Sequence, residues 1–225
     1  MNALHRKAFA GLLILFLVMA SLLLIAAGTP RYWQAWLFLG LYFACSLAIT
    51  LDLMQRDPAL LARRMSSGPF AEKQTAQKII MSFASIGFIG LLVVPGLDRR
   101  FGWSEMPPSM AIAGDALMLL GWVGIFRVFR ENSFTSATIE LAEDQKVIST
   151  GPYAWVRHPM YAAALLMLTG TPISLGSWWG LLVMAAVLPA ILWRLLDEEK
   201  FLATNLAGYT EYQRRVRYRL LPLIW

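Results

Sequence analysis

The chain has 225 residues, of which 58% are hydrophobic and only 15% charged, with a mean hydropathy of +0.55. A water-soluble domain carries about 25% charged residues, so this balance points to a single integral membrane unit. The net charge of +6 does not signal nucleic acid, because the basic residues are spread through the loops between apolar stretches. Cys45 is the only cysteine, and His5 and His158 are the only histidines, which excludes a disulfide framework and argues against a zinc or di-iron centre.

Residues 8–27 form a long apolar stretch preceded by His5, Arg6 and Lys7. A signal peptide shares that pattern, but the stretch is long enough to cross about 30 Å of hydrocarbon and lacks a convincing cleavage motif, so a first membrane span is expected. Gly28, Thr29 and Pro30 lead into a second span over 33–51, with Trp33 and Trp36 as interfacial anchors. Residues 52–78 are rich in charge. Leu60, Leu61 and Met65 recur there at helical spacing, which predicts an amphipathic surface helix ending near Ser66-Ser67-Gly68-Pro69. A third span is expected over 79–97 and a fourth over 110–129, and residues 131–160 form a polar segment. Residues 161–173 are too short to span comfortably, and with 178–196 they predict a hairpin that dips into the bilayer and returns, although two full spans fit as well. The expected fold class is therefore an all-α integral membrane bundle of five to six transmembrane segments, with a helical hairpin near the carboxyl terminus and no Rossmann domain. Residues 1–109 supply the amino-terminal spans and 110–225 the chemistry-bearing region of one unit.

Seventeen of the twenty lysines and arginines fall at the amino terminus, in 52–78, in 127–160, or from Arg194 onward. That bias puts both termini and both polar segments on the cytoplasmic side, and a short chain of this kind suits a bacterial inner membrane.

The most unusual stretch is S-T-G-P-Y-A-W-V-R-H-P-M-Y, from Ser149 to Tyr161. Gly151-Pro152 and His158-Pro159 each fix a bend, because proline locks its own φ and pushes the preceding residue out of the helical region. Arg157 and His158 are thereby held beside a membrane surface. An interfacial turn with an aromatic anchor would look similar. A second polar group, R-L-L-D-E-E, ends the last apolar helix, where Arg194 and Glu198 share a face and Glu199 flanks it. Taken alone, such a pair is often no more than a solvated ion pair. The hairpin, however, brings both groups to one side of the membrane, where an arginine can hold an anionic head and carboxylates can hold an ammonium or ribose hydroxyls. The third group, Arg130 to Phe134, includes Asn132, for which helix capping is the better expectation and pocket lining the alternative.

The order R-x-N-S-F (Arg130 to Phe134), G-P-Y-x-x-x-R-H-P-x-Y (Gly151 to Tyr161), R-x-x-x-E-E (Arg194 to Glu199) and Y-x-x-Y (Tyr209 to Tyr212) resembles the isoprenylcysteine carboxyl methyltransferase family and its bacterial relatives. The likeness covers about the last 100 residues. Relatives often carry F-G two residues before the Y-x-x-Y pair, where this chain has Leu206-Ala207-Gly208. The resemblance implies S-adenosylmethionine as methyl donor, held by Tyr153, Arg157, His158, Tyr161 and Glu199 together with Asn132, Tyr209 and Tyr212. It also implies Arg194 and Glu198 at the reacting centre and a lipophilic acceptor, by likeness a carboxylate, reaching the site from among the membrane lipids. The chain has no G-x-G-x-x-G loop. One rival is an NADPH-dependent membrane reductase of the sterol or steroid type, for which the tail lacks an evident basic pocket beside histidines. A non-catalytic scaffold or transporter is the other; it predicts charges buried in mid-span, whereas the charged residues here are expected at span ends, which argues against it.

Overall fold

The structure, a computed structural model, describes residues 3–65, 68–72, 74–142 and 144–225. Among these, eight α-helices account for the fold and no strand occurs: α1 (Ala3–Ala27), α2 (Trp33–Arg56), α3 (Pro58–Met65), α4 (Thr75–Phe101), α5 (Pro108–Glu131), α6 (Pro159–Ser174), α7 (Trp178–Asn205) and α8 (Tyr209–Arg215). A one-turn 3-10 helix, Gly151–Ala154, precedes α6. Five of the helices, α1, α2, α4, α5 and α7, are long and apolar enough to cross a membrane. The shortest of them has 24 residues, about 36 Å at 1.5 Å per residue. Each runs beyond its expected limits because polar ends such as Arg56 and Glu131 continue the helix past the apolar stretch.

Leu13, Ile14 and Leu17 on α1, Phe83 and Ile86 on α4, and Leu120 and Val123 on α5 stay exposed, as expected for side chains that face lipid. Trp33 and Trp36 are also exposed, and Trp36 Nε1 donates to the Pro30 carbonyl at 2.8 Å. The surface helix forms as α3, where Asp57 caps it by accepting from Leu60 N at 2.9 Å and Pro58 takes the first helical position. Leu60 and Leu61 are buried against α2, α5 and α6, while Met65 is exposed. The expected end of this helix at Ser66-Ser67 lies outside the described residues.

The hairpin of α6 and α7 does not stop halfway. Ser177, in its turn, donates to Asp98 in the last turn of α4, and Tyr32, just ahead of α2, donates to the Leu175 carbonyl at 2.5 Å. The tip therefore reaches the end of the bundle opposite the polar segment, although α6 has only 16 residues. Nor are all charges confined to span ends. Asp115 lies two turns inside α5, buried, where it accepts from Ser174.

Close approach of α5 and α6 rests on glycine. A Cβ on Gly114 would meet Ser174 N at 2.2 Å, one on Gly121 would meet Met167 N at 2.6 Å and Ala163 O at 2.7 Å, and one on Gly170 would meet Met118 N at 2.7 Å. Small residues on both helices thus replace side-chain contact with backbone contact, as in other membrane helix pairs. Packing of α1 on α4 and of α4 on α7 carries the core across the 109/110 boundary.

A Gly121→Leu variant is expected to lose about 1–3 kcal/mol of stability through overpacking. Gly40→Leu, where nothing lies within 4 Å of an added Cβ, should unfold in detergent as the parent does. Equal thermal denaturation of the two variants would contradict the role given to the glycine seam.

Candidate active site

The polar segment is built from its caps inward. Asn132 ends α5, and its side chain accepts from Phe134 N at 2.9 Å and donates to the Tyr153 hydroxyl at 3.0 Å. Its backbone N–H closes α5 by donating to Val128 O at 2.9 Å, while its side chain caps no helix carbonyl but shapes the turn that follows and lines the cavity described below. Gly151 adopts φ 55°, a left-handed conformation that favours glycine at the turn that inserts Tyr153.

The Arg157-His158 pair anchors the tail through both backbone and side chain. Arg157 N donates to Tyr218 O and His158 N to Arg219 O, both at 2.9 Å, while Arg157 Nη1 donates to the carbonyls of Val216 (2.9 Å) and Arg217 (2.8 Å). Glu199, from the last turns of α7, completes the joint. Its Oε1 accepts from Arg157 Nε at 2.5 Å and its Oε2 from Arg219 Nε at 2.8 Å. His158 Nε2 is 3.3 Å from Glu199 Oε1, within ion-pair distance but not aligned for a hydrogen bond. Arg157, His158 and Glu199 are all buried.

Beside this joint lies a cavity of about 740 Å³, within the range that holds a cofactor or a drug-sized ligand. Its lining divides by element. Ala8, Leu12 and Leu15 of α1 with Ile49 and Leu53 of α2 form an apolar arm, while the 132–148 segment and the aromatic groups of 153–161 and α8 form a polar one. Of the residues singled out in the sequence, Asn132, Tyr153, Arg157, His158, Tyr161, Arg194, Glu198, Tyr209 and Tyr212 border the cavity. Glu199 does not. It lies behind the wall and holds the basic residues in place.

Arg194 and Glu198 both reach the cavity but do not pair with each other. Arg194 Nη2 is 2.8 Å from Glu72 Oε1 and donates to Ala137 O at 2.9 Å, and Nη1 donates to Gln77 Oε1 at 2.8 Å. Gln77 in turn donates to Asp197. Glu198 Oε2 accepts from the Tyr161 hydroxyl at 2.6 Å. The i,i+4 spacing correctly put the two side chains on one face, but Glu72 competed successfully for the guanidinium from a loop distant in sequence.

Sequence reasoning missed Glu72, Gln77 and Arg64. All three lie in or beside a stretch whose charges read as topology signals. A buried carboxylate amid arginines and lysines, and a glutamine at the start of an apolar span, were the available cues. Arg64 Nη1 donates to Ser136 O at 2.7 Å, and its guanidinium lies 5.3 Å from the centre of the Phe129 ring.

Two polar atoms of the wall, Tyr209 Oη and Trp122 Nε1, are buried and lack a hydrogen-bond partner among the described residues, whereas His158 Nε2 faces Glu199 behind the wall. An unmet buried group costs roughly 1–3 kcal/mol, and a ligand in the cavity would remove that cost. Burial pushes the phenols of Tyr153 and Tyr209 well above their ordinary range and that of Tyr212 up to about 12, so all three remain protonated near neutrality and serve as hydrogen-bonding groups rather than bases.

Residues 109–207 match the family model described as phospholipid methyltransferase. No curated protein matches the chain. The matched segment runs from α5 to the end of α7, and so includes the polar segment, the hairpin and the Arg194–Glu199 stretch.

Replacing Glu199 by Gln leaves Arg157 buried without a carboxylate, a change that costs ~3–5 kcal/mol in comparable buried pairs. The tail beyond α8 should then become open to trypsin at Arg217 and Arg219 under conditions in which the parent resists. Unchanged protection would show that the backbone pairing alone holds the tail.

Proposed function

We propose, from the match of residues 109–207 to the phospholipid methyltransferase family model, that the chain transfers a methyl group from S-adenosylmethionine to a lipophilic acceptor drawn from the bilayer. One observation carries this reading: a single cavity joins a polar arm, in which the Tyr209 hydroxyl is unmet, to an apolar arm walled by membrane-spanning helices. The family match supports methyl transfer and lends nothing to a reductase.

The lining suits the donor. Tyr153, His158, Tyr209 and Tyr212 offer aromatic faces to a sulfonium and an adenine ring. Tyr209 Oη can both donate and accept, and Glu198 and Asn132 add acceptors for an ammonium or ribose hydroxyls. When bound, such a donor supplies a methyl group on a positively charged sulfur. What remains for the protein is to align the acceptor atom and exclude water. Tyr161 holds Glu198 Oε2 toward the cavity, so Glu198 is the group that can take a proton if the acceptor is a hydroxyl or amine. Arg194, bound by Glu72, Gln77 and the Ala137 carbonyl, stiffens the wall that faces Glu198 and contributes positive potential there. We assign the polar arm to the cytoplasmic face of a bacterial inner membrane, on the bias of basic residues toward that side.

Calorimetric titration of the detergent-purified protein with S-adenosylmethionine, its demethylated product and NADPH tests this reading. The first two should bind, about tenfold more weakly to Tyr209→Phe, and NADPH should not. Glu198→Gln should keep donor binding while lowering turnover about a hundredfold or more if the acceptor gives up a proton. Binding of NADPH alone would replace the methyltransferase by the reductase.

A further inference from the structure

Among the described residues, two cations of the cavity wall have no carboxylate at ion-pair distance, Lys146, which is exposed, and Arg64, which is half-buried. Arg157 is matched by Glu199 and Arg194 by Glu72, and Glu198 is held by the Tyr161 hydroxyl. Arg64 spends one of its five N–H groups on the Ser136 carbonyl and rests its face on Phe129. Its position is fixed rather than loose, because Asp57 caps α3 and Leu60 and Leu61 are buried in the core beneath it. Burial pushes its pKa below that of a free guanidinium, and Arg194 acts in the same direction while Tyr161 and Glu198 oppose it. Arg64 therefore shares one electrostatic neighbourhood with Arg194, Glu198 and Tyr161.

Its place in the cavity bears on its use. Leu61 and Arg64 of α3 line the cavity together with Ile49 and Leu53 of the adjoining α2, so the guanidinium sits where the apolar arm ends. Tyr209, with its unmet hydroxyl, and Tyr212, whose hydroxyl donates to the Tyr153 carbonyl, belong to the tail and line the polar arm. A chain lying in the apolar arm would bring its polar end to Arg64 and beside Glu198. Resting on the methyltransferase reading above, we propose that Arg64 anchors an anionic group, a carboxylate or a phosphate, on the head of the lipophilic acceptor. The acceptor is then an anionic amphiphile, and Arg64 selects it against neutral and cationic ones of equal chain length. Arginine suits this task because its planar fork can grip two oxygens at once.

Such an anion could also come from the donor, whose amino acid part carries a carboxylate, and the test separates the two sources. Binding of dodecyl phosphate, dodecanoate, dodecanol and dodecyltrimethylammonium is measured on the full chain in a neutral maltoside detergent, without donor. S-adenosylmethionine is titrated separately. In the parent protein both anionic probes should bind about tenfold or more tighter than dodecanol. Arg64→Gln should erase that preference while keeping dodecanol binding, which reports an intact apolar arm, and should leave donor affinity within about twofold. Arg64→Lys should restore part of the preference. Absence of any anion preference in the parent overturns the proposal, whether or not the variants fold. So does an Arg64→Gln protein that keeps the preference but binds S-adenosylmethionine about tenfold more weakly, since the anchor would then serve the donor's carboxylate. If the donor fails to bind while the anion preference stands, the methyltransferase reading fails and the anion subsite does not.

Discussion

Three separate parts of the chain meet at Glu199. One buried carboxylate faces the guanidinium groups of Arg157 and Arg219 and the imidazole of His158. Burying such charges is costly unless each is paired and hydrogen-bonded, and here the requirement is met by geometry. Arg157 also caps the carbonyls of Val216 and Arg217, so its remaining donors are not wasted. The joint couples the start of α6, the end of α7 and the carboxyl-terminal tail. Without it, the hairpin motif would be an interfacial turn, and Tyr209 and Tyr212 would have no reason to close over the polar arm.

The second constraint is the bilayer. Spanning backbone must satisfy its own hydrogen bonds, so this fold has helices alone with which to wall its cavity. Glycines on α5 and α6 draw two helices into backbone contact, while α1 and α2 stand apart enough to leave an apolar space. The irregular segment between α5 and α6 supplies the polar lining and remains at the end of the bundle. Arg63 and Arg64 of α3 bind the carbonyls of Ser133 and Ser136, so the surface helix braces that segment from the amino-terminal half. A function for residues 1–109 follows from these contacts: they hold the polar loop in place and wall the space beneath it.

Much of this was legible in the sequence, for reasons that differ by level. Hydropathy located every span, because a helix that must face lipid has little freedom in composition. Proline and glycine in G-P-Y and R-H-P foretold fixed bends, and both occur. What could not be read was pairing across long sequence separation. Arg194 and Glu198 have ideal spacing for an ion pair, yet Glu72, more than a hundred residues earlier, takes the arginine, and Tyr161 takes the glutamate. The resemblance to the isoprenylcysteine carboxyl methyltransferases implied a cofactor pocket for Glu199, which in the structure does not border the cavity. Its role as a buried counter-ion depends on Arg219, whose approach is set by a tail with no periodic pattern. The depth of the hairpin was ambiguous because α6 is short, and only the contacts of Ser177 and Tyr32 at the far end resolve it.

The proposed methyl transfer requires donor and lipid to meet in a single cavity spanning the polar and apolar sides of the bundle. The most direct measurement is methyl transfer itself: the purified protein, reconstituted in vesicles containing a bacterial lipid extract, incubated with S-adenosylmethionine carrying an isotopically labelled methyl group. The account predicts label in an amphiphile that partitions into the organic phase, dependent on Glu198. Label only in water-soluble products, or none above that of an Arg157→Ala protein, would contradict it.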